Sequence, residues 1–69
     1  MREEQDDAAI AILRANASAF PNSPMAHFHL GRAYAAAKDT PHAREAFTRS
    51  LDLDKSTANP SRDAIAAFP

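Results

Sequence analysis

The sequence predicts an all-α fold: antiparallel helix hairpins stacked as a short solenoid, three helices plus a short fourth. Composition is the first reason. Alanine supplies more than half of the 45% apolar residues, valine is missing altogether and large side chains are few. Closely packed helices suit that inventory, whereas a β-sheet draws on β-branched and aromatic residues. The second reason is a device that occurs twice, Ser23-Pro24 and Thr40-Pro41, in which a hydroxyl residue caps a helix and proline opens it. Proline at the first helical position gives up only an amide that had no intrahelical partner. The third reason is the spacing inside the two helices so opened. Leu30 and Tyr34 lie one turn apart with Gly31 beside them, and Ala43 and Phe47 repeat that spacing in the next helix. A mid-helix glycine costs about 1 kcal/mol against alanine, and Gly31 is the only glycine in the chain. Its expected purpose is close approach of the second helix, with Ala43 and Phe47, which a side chain at 31 would hold away.

The first helix is predicted over 3–19, with Glu3, Glu4, Asp6 and Asp7 at its start, where the helix dipole favours negative charge. Ala9, Leu13 and Ala17 form one stripe with Ile10 beside it, and Ile12 falls off that stripe toward a different neighbour. Phe20-Pro21-Asn22-Ser23-Pro24 is a turn rich in residues that cannot continue a helix. The helix opened by Pro24 runs to a polar corner, Lys38-Asp39, which folds the next helix back antiparallel. That helix continues to about Leu53, and 54–58 is a polar linker. Asn59 then caps and Pro60 opens a last short helix, with Ala64, Ile65 and Phe68 on one face. An internal register ties these elements together. Ala9 to Ala43, Leu13 to Phe47, Leu30 to Ala64 and Tyr34 to Phe68 are each 34 positions apart. The chain therefore reads as one domain, 1–69, made of a half repeat (1–21), a central repeat (24–57) and a capping helix (59–69).

Leu30-Gly31-x2-Tyr34 followed by Ala43-x3-Phe47 resembles the tetratricopeptide repeat, whose signature is W-x2-L-G-x2-Y, then A-x3-F, then P over about 34 residues. His27 stands in place of the tryptophan, Ser50 of the later small residue and Lys55 of the closing proline. The resemblance implies a non-enzymatic protein-protein interaction module. In that family the first helices of successive repeats line a concave groove through their second, fifth, ninth and twelfth places. Counted from Pro24, these hold Met25, Phe28, Arg32 and Ala35, the expected partner-binding residues. An aromatic anchor beside an arginine suits peptide recognition; the competing expectation is that Phe28 packs on the first or last helix or on a second subunit. Chaperone-tail binders of the family have lysine and asparagine where this chain has Phe28 and Arg32, so capture of a terminal carboxylate is not implied. A narrower similarity also holds. The acidic helix start, aromatic-Pro-Asn-Ser turn, single repeat and Asn-Pro-capped last helix resemble the C-terminal tails of some beta-lactamase-like serine hydrolases, which implies a structural or oligomerisation appendage.

At 69 residues a chain buries only about 60% of its unfolded surface, and repeats of this kind need about three neighbours to close a core. A second copy, or the remainder of a longer chain, is the expected source of the missing helix against Ile10, Ile12 and Leu13. A net charge of -1 gives no electrostatic footprint for nucleic acid or an anionic membrane. Arg14, Arg32, Arg44 and Arg49 are scattered over several helices without interleaved aromatics, as solvated faces are. The start Met1-Arg2-Glu3-Glu4 lacks a signal-peptide core and no apolar run is long enough to span a bilayer, so the default compartment is the cytoplasm. Without cysteine there is neither a disulfide framework nor a thiolate zinc site. His27 and His29 point about 200 degrees apart on a helix, so no metal or other cofactor is expected, and His27 is expected to fill the tryptophan place. None of the serines lies in an S-x-x-K or G-x-S-x-G setting, and one glycine builds no phosphate loop. No catalytic residue is expected in this chain.

Overall fold

The computed structural model describes residues 2–67, with side chains from 7 to 67. The fold is all-α: α1 (Arg2–Ala19), α2 (Pro24–Ala36), α3 (Thr40–Leu53) and the single-turn-and-a-half α4 (Ser61–Ala66). Phe68, expected on the face of the last helix, lies outside the described residues, as do the side chains of Glu3, Glu4 and Asp6. Each helix packs chiefly on the next in the chain, α1 on α2, α2 on α3 and α3 on α4. The array measures 36 by 31 by 16 Å, so it is little thicker than one helix with its side chains.

Local chemistry sets the helix starts, and two of them differ from expectation. Ser23 caps α2 as the sequence suggests: its backbone is extended and its Oγ accepts from the Ala26 amide at 3.2 Å. For α3, however, Asp39 and not Thr40 is the cap, its carboxylate accepting from the His42 amide at 3.4 Å. Thr40 becomes the first helical residue and Pro41 the second. Carboxylate and hydroxyl caps are of comparable quality, so the corner geometry decides between them. There the chain closes α2 with two backbone bonds, Asp39 N–H to the Tyr34 carbonyl at 2.9 Å and Lys38 N–H to the Ala35 carbonyl at 3.0 Å. Such a closure requires a left-handed residue between them. Lys38, at φ 63°, supplies it although it is not glycine, and Asp39 follows at φ -94° and ψ 76°, outside the helix and in place to cap it.

The hairpin of α2 and α3 holds the core. Phe47 is 1% exposed, and Ala26, Ala43 and Ala46 are buried around it. Gly31 explains the spacing: a Cβ built there would stand 2.7 Å from two ring carbons of Phe47. The close approach expected from the sequence is present, with the Phe47 ring lying where a side chain would have been. Among the described side chains of α1 only Ala17 is buried; Leu13 and Ile10 are half-buried and Ala9 is exposed.

A second correction concerns Asn59, which does more than cap. Its Oδ1 accepts from the Ser61 amide at 2.9 Å, but Pro60 is the residue flanking α4. Its Nδ2 donates to the Ser50 carbonyl and Oγ, both at 3.2 Å, and to the Asp54 carbonyl at 2.9 Å. Ser50, fully buried, in turn donates from Oγ to the Pro24 carbonyl at 2.8 Å. One polar chain thus ties the end of α3 to the starts of α2 and α4. It meets the rule that buried polar groups be satisfied, with one exception beside it: the fully buried Ser61 Oγ has no hydrogen-bond partner among the described residues.

Candidate functional site

Two surfaces of α2 stand out, and the first holds the residues that the sequence reading expects to bind a partner. Met25, Phe28, Arg32 and Ala35 recur at helical spacing and so share a face. Met25 is 49% exposed, Arg32 is exposed, and Phe28 and Ala35 are half-buried. Phe28 does not stand free on that face. Its ring centroid lies 5.7 Å from that of Phe47 at 44° and 5.5 Å from the His29 ring at 54°. Among the neighbours open to it, Phe28 thus packs on the second helix of its own hairpin, because Gly31 lets the Phe47 ring reach across α2. The Arg32 guanidinium lies over the Phe28 ring, 5.8 Å from the centroid, within the range of an attractive cation–π contact. The result is a ring packed on Phe47 with a cation over it, and with the thioether of Met25 one turn away.

The other surface was missed. Leu30 and Tyr34, one turn apart beside Gly31, are only half-buried. They form the floor of an open groove of about 990 Å³ walled by α1 and α3, with Arg14 and Ser18 on one side and Glu45 and Arg49 on the other. The physical reason is that α1 and α3 both pack on α2 without closing over it, so a residue aimed between them stays wet. Spacing along one helix shows which residues share a face and is silent on how far apart its two neighbours stand. At one end of the groove Tyr34 stacks on His42, centroids 5.1 Å apart at 25°. His42 Nδ1 lies 2.7 Å from Asp39 Oδ2, which adds the ring to the α3 cap.

The three histidines go three ways. His27 lines the groove at the tryptophan place, and its Nε2 is 3.0 Å from the Pro21 carbonyl. A carbonyl only accepts, so Nε2 carries the proton. His29 is exposed and His42 sits at the α3 cap. Among the described residues no three His, Asp or Glu side chains are grouped so as to hold a metal ion, and no helix is long and apolar enough to cross a membrane. Of the ionisable groups, Asp54 has its carboxyl held below the usual range, first by the backbone N–H of Ser56, 3.0 Å away, and then by the Ser56 side chain. No family model matches the chain, and neither a curated protein nor a solved structure matches it.

Proposed function

We propose that the chain is a non-enzymatic interaction module of tetratricopeptide type, which takes a peptide or a neighbouring domain on the α2 face of Met25, Phe28, Arg32 and Ala35. The observation that carries this reading is the fixed pairing on that face: an aromatic ring seated on Phe47 with the Arg32 guanidinium 5.8 Å above it. A preorganised ring and cation lose little side-chain freedom on binding, which is what makes such pairs anchors. Their chemistry selects a segment with an apolar side chain next to a carboxylate.

The test is a nuclear magnetic resonance titration of the labelled chain with short peptides alternating leucine or phenylalanine with glutamate. The expected result is shifts centred on Met25, Phe28 and Arg32, with Arg32→Glu weakening the affinity at least about tenfold, as loss of a charged hot-spot contact does. Shifts centred on Leu30 and Tyr34, or none at millimolar peptide, overturn it. A second reading, a structural or oligomerisation appendage such as the tail of a larger serine hydrolase, is favoured by one observation: Ile12, on α1, is 69% exposed.

A further inference from the structure

We propose that the open face of α1 is covered by α4 of a second copy of this chain, head to tail, in a contact that repeats the packing of α2 on α3. The support is the 34-residue register read against burial. On α3, which packs chiefly on α2, Ala43, Ala46 and Ser50 are 0%, 6% and 0% exposed, and Ser50 is held by the Pro24 carbonyl on one side and Asn59 on the other. Their counterparts 34 positions earlier are Ala9, Ile12 and Asn16, all three exposed, with Ile12 the most exposed large apolar residue described. The two faces share a register; they differ in side-chain size and in having a cover.

The helix that covers α3 is α2, and 34 positions after α2 comes α4. Among the described residues α2 is packed on both sides, by α1 and α3, whereas α4 has only α3 as a main neighbour. One helix therefore lacks a partner of the α2 kind and another lacks one of the α3 kind. The side chains exchange in a compensating way. Gly31 opposite Phe47 becomes Ile65 opposite Leu13, so bulk moves from one helix to the other. Asn16, in the place of Ser50, comes opposite the carbonyl of Ala58, in the place of Pro24. Composition agrees: between 8 and 19 the only charged residue is Arg14, which lies on the groove side, and depletion of charge is the mark of an interface core. With α4 as short as it is, the contact falls at the small end of interface sizes, below about 1,200 Å². Association is then concentration-dependent, and being heterologous it adds copies in series instead of stopping at a symmetric pair.

Because the chain has no cysteine, engineered thiols report the contact without background. Ile12→Cys and Ile65→Cys are made separately, brought to about 0.5 mM, which suits a contact of micromolar to millimolar strength, and mildly oxidised alone and as a mixture. The expected result is a covalent heterodimer in the mixture well above any homodimer of either variant alone. The double variant Ile12→Cys/Ile65→Cys is expected to give a ladder of linked copies. Helical circular dichroism checks that each variant folds, and sedimentation of the unmodified chain over the same concentrations should show a rising mass. Homodimers of Ile12→Cys as abundant as the heterodimer mean a symmetric α1 pair and overturn the proposal. A constant mass of 7.5 kDa with no cross-link means that no second copy covers the face, and overturns it too.

Discussion

Between α1 and α3, the longer helix has the poorer environment. α1 has 18 residues and one buried side chain, Ala17, among those described; α3 has 14 residues and buries Ala43, Ala46, Phe47 and Ser50. Both carry the same apolar spacing 34 positions apart, so local pattern does not account for the difference. What separates them is flanking: among the described residues α3 lies between α2 and α4, whereas α1 has only α2 as a main neighbour. Most helical stability comes from tertiary packing of the apolar face and not from propensity. The α2–α3 hairpin is therefore the stable unit and α1 the conditional one.

Substitutions at equivalent places break or sharpen that contrast. The largest effect is expected at Phe47→Ala, which removes the fully buried ring that fills the Gly31 gap and loses about 3–5 kcal/mol, enough to unfold a domain of this size. Leu13→Ala, its counterpart on α1, loses far less, because that side chain is only partly buried. Urea titration of both variants checks the ratio, and equal losses would show that α1 belongs to the same cooperative core. Next comes Asn59→Ala, which leaves the buried Ser61 amide without its acceptor and cuts the link from Ser50 to α4. A loss of about 1–3 kcal/mol is expected, with amide hydrogen exchange rising first in α4 and at the end of α3.

Smaller effects test the corner and the spacing. Gly31→Ala gains about 1 kcal/mol of helix propensity but places a Cβ against Phe47, and overpacking of that order costs about 1–3 kcal/mol. The net expectation in a thermal melt is a modest loss, reversed when Phe47→Leu is made as well. Ser61→Ala removes a buried hydroxyl that has no hydrogen-bond partner among the described residues and is expected to stabilise by about 1 kcal/mol. Lys38→Gly relieves the left-handed backbone at φ 63° and gains about 1 kcal/mol. Its melting temperature should rise without change in the denaturant slope, since nothing is exposed or buried.

The Asp54 carboxyl adds a pH dependence whose direction follows from its lowered pKa. Its bond with Ser56 favours folding at neutral pH and is lost as the pH falls through the lowered pKa. This is a minor contribution from an exposed group.

How much could be read in advance follows from the range of the interactions. Helix positions came from short-range signals, since a serine or proline at a start and a polar corner act within a few residues. The replacement of Thr40 by Asp39 as cap shows where such signals are ambiguous: both residues are competent, and the left-handed turn at Lys38 chooses. The face holding Met25, Phe28, Arg32 and Ala35 was legible because spacing along one helix determines a face. That Phe28 is seated on Phe47 was not, nor was the groove over Leu30 and Tyr34, because both depend on distances between helices.

By itself the sequence determined the all-α class, the hairpin at Lys38-Asp39, the internal register and the need for a glycine where α2 meets α3. All of these follow from backbone sterics, capping and helical periodicity, which are properties of neighbouring residues. Only the tertiary structure decided which of two equivalent apolar faces is covered, that Asn59 and Ser50 bridge three helices, and that Leu30 and Tyr34 open onto a groove. The reason is physical: burial is a property of the space between elements, and the same stripe is core or surface according to what stands opposite it.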